Sequence, residues 1–341
     1  MNAPCDPPVL TVRDLSLQFG TGAHRVHALD RVSFDLQRGK MAALVGESGC
    51  GKSVTAMAIM GLLPRHGAQV DGSIRLGARE LVGASETALR AVRGRRIAMV
   101  FQDPMTCLNP VHTVGMQIAE AAVHAGRDRA DARTHALQML DRVKMPDARR
   151  RLSAYPHEMS GGMRQRVMIA IALAGEPDIL IADEPTTALD VTVQAQILTL
   201  IGDLAGELGM SILFITHDLG VVAASADTMM VMYAGRIVEE GPVEAVFSRP
   251  SHGYTAGLMR SLPSRRAGHK APLLEIEGSV PRLDKPIAGC AFAPRCRLAE
   301  PVCHAPLPPL KAVGPRHLTR CVREAAVYAS IRDSDIVKAW S

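Results

Sequence analysis

Eight residues limit the fold of this chain more than any others: Gly46-Glu47-Ser48-Gly49-Cys50-Gly51-Lys52-Ser53. The apolar run Met41-Ala42-Ala43-Leu44-Val45 precedes them, and Val54-Thr55-Ala56-Met57-Ala58-Ile59-Met60 follows. The order predicts strand, glycine-rich turn and helix, which is the setting of a G-x-x-x-x-G-K-[ST] phosphate loop. Glycine lets the backbone curl until successive N–H groups point inward as an anion nest. The next helix adds the partial positive charge of its N-terminus. Lys52 is placed to reach the outer phosphates and the Ser53 hydroxyl to ligate Mg²⁺. The competing reading is a glycine-rich turn that happens to carry Lys-Ser, and both flanking elements weigh against it. The motif points to a nucleoside triphosphate and leaves open what its energy drives.

The 341 residues suffice for one large domain and a smaller one. With aromatics at only 3%, aliphatic and Met side chains must fill most of the core. A net charge of +5 is too mild to indicate nucleic acid by itself; an anionic membrane face or a nucleotide suits it equally. No apolar stretch approaches a membrane span, and Met1–Pro8 lacks the regions of a signal peptide. The expectation is an intracellular protein, where the cysteines argue against structural disulfides.

Leu15, Leu17 and Phe19 alternate with polar residues, as do Val32, Phe34 and Leu36, predicting an antiparallel pair of strands joined by a turn at Gly20–His24. Phe19 suits either an adenine stack or the sheet core. Ile97–Phe101 predicts a short strand that ends at Gln102, and helical spacing follows over Gly115–Ala125 and Arg133–Val143. Ser160 reads as a helix N-cap, and the adjacent Gly161-Gly162 suits close approach of an anion better than a plain capped helix does. Asp178–Ala182 is a buried strand that ends in Asp183-Glu184. Adjacent acids there are costly without a role: Asp183 can hold Mg²⁺ through water, and Glu184 can polarise an attacking water. Ser211–Thr216 is another buried strand, and His217 stands at its carboxyl end, where ligands of such sheets bind. Met229–Met232 and Gly235–Val238 predict a final hairpin.

Over residues 9–260 these segments, in this order, resemble the nucleotide-binding subunit of an ATP-binding cassette transporter. The resemblance implies an α/β fold: a P-loop NTPase core with a mixed sheet and flanking helices, an antiparallel β subdomain, and an inserted helical subdomain over about 104–165. It makes Gly46–Ser53 (with Glu47, Ser48, Gly49, Cys50, Gly51 and Lys52) the Walker A loop and Gln102 the Q-loop glutamine, a Mg²⁺ contact and catalytic participant. Ser160-Gly161-Gly162 belongs to the signature motif, Asp183-Glu184 closes Walker B, Ala188-Leu189-Asp190 is the D-loop, and His217 is the switch histidine. Phe19 occupies the place of the adenine-stacking aromatic. Ser160–Ala170, Asp190–Leu198 and Leu108-Asn109-Pro110 are similar to the oligopeptide/dipeptide import subfamily, with Met163 standing for the usual Gln and Cys107 for Ser. The resemblance further implies MgATP bound between two head-to-tail ATPase subunits, two membrane permease subunits, an external solute-binding protein, and a peripheral place on the cytoplasmic face of the cell membrane. A soluble cassette ATPase for nucleic-acid repair or translation is the alternative; neither a sustained coiled coil nor an internal repeat supports it.

The implied organisation is an ATPase domain over 1–262, a Cys-rich module over 263–324 and a tail over 325–341. Relatives' cysteines of this kind are linked to a [4Fe–4S] cluster, which would fall here to Cys290, Cys296, Cys303 and Cys321. Four soft thiolates suit such a cluster, and structural zinc is the rival. The closely spaced prolines, Pro294 to Pro309, predict little helix, so that a metal centre would replace a core the module cannot build. Cys5, Cys50 and Cys107 have no such partners.

Overall fold

The computed structural model describes residues 7–20, 25–64, 66–186, 189–261, 276–285, 287–332, 334 and 337. Cys5, most of the turn expected at Gly20–His24, Ala188 of the expected D-loop, and most of the tail beyond residue 332 lie outside the described residues. The strands are β1 (Leu10–Phe19), β2 (Val26–Leu36), β3 (Met41–Val45), β4 (Ala68–Leu76), β5 (Arg79–Glu80), β6 (Ile97–Val100), β7 (Ile179–Asp183), β8 (Ser211–Thr216), β9 (Thr228–Tyr233), β10 (Arg236–Pro242), β11 (Lys311–Gly314) and β12 (His317–Thr319). The helices are α1 (Lys52–Ile59), α2 (Glu86–Arg90), α3 (Pro104–Cys107), α4 (Val114–His124), α5 (Arg129–Arg142), α6 (Ala148–Arg151), α7 (Gly161–Leu173), α8 (Val191–Leu208), α9 (Leu219–Ser225), α10 (Val243–Ser248), α11 (Gly253–Arg260) and α12 (Glu324–Ile331). They fall into two compact units, one of residues 1–10, 36–41 and 76–215, the other of residues 11–35, 42–75 and 216–341.

In the first unit β6, β7 and β8 pair in parallel, Ile97 opposite Ile179 and Ile179 opposite Ser211. Every residue of these three strands is buried, as the uninterrupted apolar runs require of a sheet covered on both faces. Side chains start the helices where the sequence places Ser, Thr and Asp. Thr113 accepts from the Met116 N–H at the head of α4, Asp128 from Ala130 at α5, Ser160 from Met163 at α7 and Asp190 from Val193 at α8. The helix α8 stops at Gly209, whose φ of 61° is the left-handed cap that glycine adopts without cost. α4 and α5 begin one and four residues before the expected helices, because their true caps are Thr113 and Asp128.

In the second unit β3 pairs with β9 in parallel, Val45 opposite Val231. The antiparallel hairpin β9–β10 turns at Ala234 and Gly235, both at positive φ, which matches the expected final hairpin. The chain's C-terminal strands continue this sheet: β12 pairs antiparallel with β10, and β11 with β12. The unit's sheet is therefore mixed. A separate sheet runs in the order β2, β1, β4, with Ser33 Oγ accepting the Asp14 N–H and Ser16 Oγ that of Arg31.

The C-terminal residues have a hydrophobic core to pack on, which their prolines and cysteines do not suggest. Ala291, Phe292, Val327 and Ile331 are buried in one hydrophobic cluster with Val45 of β3, Val231 and Tyr233 of β9, and Tyr254 of α11, with Cys290, Cys296 and Cys321 packed against it. A core is thus available to the segment without a metal, and it is shared with the strand that leads into the phosphate loop. Among the described residues no helix is long and apolar enough to cross a membrane.

Candidate phosphate-loop site

The loop that follows β3 folds as its glycines dictate. Gly51 has φ 111°, and a Cβ there would lie 2.9 Å from Leu29 Cδ2 and 3.1 Å from the Ala28 carbonyl oxygen. A Cβ on Gly46 would run into the Met232 carbonyl. The loop thus needs glycine both for conformation and for close approach to β2 and β9. Lys52 opens α1 and is 5% exposed, its Nζ donating to the carbonyls of Gly46 at 2.7 Å and Glu47 at 3.0 Å. The ammonium therefore lies across the mouth of the loop, bound to the loop's own carbonyls. Thr55 Oγ1 donates to the Gly51 carbonyl at 2.9 Å and Gly235 N–H to that of Cys50 at 2.8 Å, fixing the loop to α1 and to the β9–β10 turn. Cys50 is fully buried beneath the loop, and burial pushes its thiol pKa up. It is packing, not a reactive nucleophile.

Glu47 faces away from that mouth. Its N–H donates to Tyr254 Oη at 2.7 Å, and its carboxylate pairs with Arg295 Nη1 at 3.0 Å. The same nitrogen donates to Tyr233 Oη at 3.1 Å. Tyr233 and Tyr254 are fully buried, their ring centroids 4.6 Å apart. The sequence reading missed these three residues. The one available signal was that two of only four tyrosines in an aromatic-poor chain fall at the end of a buried strand and the start of a helix. In the same unit His217 is exposed beside Asp218, the N-cap of α9, and Phe19 is half-buried at the end of β1.

The other expected residues lie in the first unit. Asp183 is the last residue of β7 and is 5% exposed. Glu184 follows at φ 45°, a left-handed conformation that costs a non-glycine residue about 1–3 kcal/mol. Its N–H donates to the Ile215 carbonyl at 2.9 Å, holding the bend against β8. Gln102 Nε2 donates to Glu184 Oε2 at 3.1 Å, so the residues expected at the Q-loop and the end of Walker B meet. Ser160 and Gly161 are exposed at the N-terminus of α7. A Cβ on Gly162 would meet Val193 Cγ1 at 2.8 Å, so this glycine lets α7 lie close to α8, which Asp190 caps.

Cys290, Cys296, Cys303 and Cys321 are all free thiols. Burial raises the pKa of Cys290, Cys296 and Cys321, and neighbouring cysteines add to it: Cys296 and Cys303 at Cys290, Cys303 at Cys296, and Cys290 and Cys296 at Cys321. Burial is the larger cause, and it carries the Cys321 pKa to about 12. Cys290 Sγ lies 3.8 Å from His252 Nε2, and Cys321 Sγ accepts the Arg323 N–H at 3.3 Å. Among the described residues no group of three or more His, Cys, Asp and Glu side chains is arranged to hold a metal ion. The expected [4Fe–4S] site is therefore not supported by this arrangement.

Residues 29–187 match the family model described as ABC transporter, and residues 238–303 that of the oligopeptide/dipeptide transporter C-terminal region. The chain is 54% identical over 321 residues to the "Probable peptide ABC transporter ATP-binding protein" y4tR of Sinorhizobium fredii, covering 94% of this chain and 96% of that one. It is 52% identical over 336 residues to a peptide import ATP-binding protein of Brucella melitensis, covering 94% and 99%. Among solved structures it is similar to the dimeric post-hydrolysis state of the ATP-binding cassette MJ0796 bound to ADP and Pi, with TM-score 0.61 and 25% identity over 69% of this chain and 98% of that one. It is also similar to cbiO1 of Clostridium perfringens, part of the cbiONQ transporter complex, with TM-score 0.61 and 28% identity over 72% and 92%.

Proposed function

The chain belongs to the ATP-binding cassette transporter family, and from that premise we propose that it is the ATP-binding and ATP-hydrolysing subunit of a peptide importer. The observation that carries the proposal is the loop of Gly46–Ser53, with buried Lys52 held at its mouth by carbonyls that a phosphate chain would replace. The backbone N–H groups of the loop and the head of α1 supply the anion site. The hydroxyl of Ser53, the carboxylate of Asp183 and the amide oxygen of Gln102 are hard oxygen donors of the type Mg²⁺ takes, and the ion supplies charge neutralisation on the phosphates. Glu184, held by its bent backbone and by Gln102, is the group that orients and polarises the attacking water. His217 acts on the outer phosphate and Phe19 on the adenine. The exposed head of α7, with Ser160, Gly161 and Gly162, and the D-loop residue Asp190 serve the nucleotide of a second ATPase subunit.

The names of the relatives support peptide as the solute. The same reading includes two permease subunits, an external solute-binding protein and a peripheral position on the cytoplasmic face of the membrane. The division into an ATPase domain over 1–262, a C-terminal module over 263–324 and a tail over 325–341 belongs to it too; the separate match at 238–303 overlaps the module and begins inside the ATPase domain. A [4Fe–4S] cluster at the four cysteines is carried as a separate proposal on their thiol chemistry alone, and no step of ATP hydrolysis runs through it. Iron and sulfide analysis of anaerobically purified protein tests it, about four of each per chain sustaining it and none ending it.

The transport reading is tested by ATPase and peptide-uptake assays of the chain alone and assembled with its permeases in proteoliposomes. Weak turnover alone, stimulated on assembly and coupled to uptake, is expected. Full activity in a monomeric sample, or stimulation by DNA or RNA and not by permeases, would overturn it.

A further inference from the structure

The longest reach to the phosphate loop is made by Arg295, which stands 248 residues along the chain from Glu47. Its side chain is 7% exposed, and each of its nitrogens is committed. Nε donates to the Glu277 carbonyl at 2.8 Å, and Nη2 to those of Ile276 at 3.0 Å and Gly278 at 3.2 Å. Nη1 donates to Tyr233 Oη and to both carboxylate oxygens of Glu47. The guanidinium carbon stands 5.8 Å from the centroid of the Tyr233 ring and 5.9 Å from that of Phe292. A planar fork with every donor used is fixed in place. Its one anionic partner among these contacts is the second residue of the phosphate loop.

Glu47 in turn is held at three points. Tyr254 takes its N–H, Arg295 its carboxylate and Lys52 its carbonyl. The residue that Arg295 grips is thus one of the two whose carbonyls hold the phosphate-binding lysine. Without Arg295 the half-buried carboxylate would lose its counter-charge five residues from Lys52, and would compete with phosphate for the ammonium.

We propose that Arg295 is a positioning residue of the nucleotide site: it keeps the Glu47 carboxylate turned away from Lys52 and the loop in its phosphate-accepting shape. This makes the C-terminal segment, through one side chain, part of the ATP site. The proposal rests on the reading of Gly46–Ser53 as that site.

The test is equilibrium binding of a fluorescent ATP analogue with Mg²⁺ to the full-length chain. Wild type should bind and Lys52→Ala should not; failure there would refute the ATP reading and not the role of Arg295. Arg295→Ala is expected to raise the Kd about tenfold, the scale of one lost charged hydrogen bond. Glu47→Gln added to it should restore most of the affinity by removing the competing carboxylate, a rescue that general loss of structure would not give. If Arg295→Ala does not fold, Arg295→Lys, which keeps the charge and loses the fork, should show a smaller loss with the same rescue. Unchanged affinity in the folded Arg295 variant, or a double variant no better than the single one, would overturn the proposal.

Discussion

Two titratable groups of the second unit should pull stability in opposite directions over the same pH range. His252, 1% exposed, caps α11: its Nδ1 accepts the Tyr254 N–H at 3.1 Å, which leaves the proton on Nε2, facing Cys290. Its backbone N–H and that of Ser251 donate to the buried Glu239 carboxylate at 2.8 and 2.7 Å, and His317 Nε2 holds Glu239 from β12 at 2.8 Å. Burial drops the His252 pKa from 6.5 to about 4. Glu240, the next residue of β10, goes the other way: burial and Asp35, partly offset by Arg320 and Arg13, raise it from 4.5 to about 7.

The signs follow from which state takes the proton first. For His252 the unfolded chain does, so its contribution is whole above pH 6.5 and is lost as pH falls towards 4. For Glu240 the folded chain does, so its contribution is whole below pH 4.5 and is lost as pH rises through 7. Each window is about 2.5 pH units wide, and at about 1.4 kcal/mol per unit each is worth about 3 kcal/mol. Glu240 is partly exposed, so its share is the smaller. Wild type should therefore lose only part of the His252 contribution between pH 7 and 5, the rest being offset by Glu240. His252→Asn, which keeps a cap acceptor and does not titrate, should become relatively more stable on acidification by about 2 kcal/mol, and Glu240→Gln less stable. Urea unfolding followed by far-UV circular dichroism at pH 8, 7, 6 and 5 reads both. Parallel pH profiles for wild type and His252→Asn would show that His252 does not titrate on unfolding as stated.

Glu184→Gln should bind MgATP and lose turnover by roughly 10²–10⁴-fold in the assembled transporter; near-normal steady-state ATPase would deny Glu184 its role. His217→Ala should likewise lose hydrolysis at saturating ATP while its nucleotide Kd stays near wild type, since binding falls to Lys52 and the loop N–H groups. A large loss of affinity with unchanged turnover would contradict it.

What the sequence discloses here is what short spacing encodes. The strand–loop–helix at Met41–Ile59 was legible because its glycines and Lys52 act within a few residues of one another. The buried parallel strands announced themselves as unbroken apolar runs. The helix starts were legible at Ser160, where a capping residue stood beside an evident helix, and misplaced at α4 and α5, where apolar spacing was trusted above Thr113 and Asp128. The C-terminal segment is less legible for a related reason. Prolines and cysteines dominate its local pattern, while Phe292, Val327 and Ile331 share a core with residues of β3 and β9 far away in sequence.

Glu47 shows the limit most sharply. Within the motif it is a variable position, free of any local demand, and nothing in its neighbours distinguishes it from a solvated acid. The order of strands makes it otherwise. β9 lies beside β3 and ends in Tyr233, and α11 brings Tyr254 to the Glu47 amide. Phe292 meets Tyr233 edge-on and Tyr254 at a tilt, and carries Arg295, three residues on, to the carboxylate. Each contact is weak evidence alone. Together they give the Glu47 amide, its carboxylate and the Arg295 guanidinium each a partner, where burial would otherwise make them costly. The contacts from the C-terminal segment to the phosphate loop are contiguous: Arg295 holds the Glu47 carboxylate, and the Glu47 carbonyl holds Lys52.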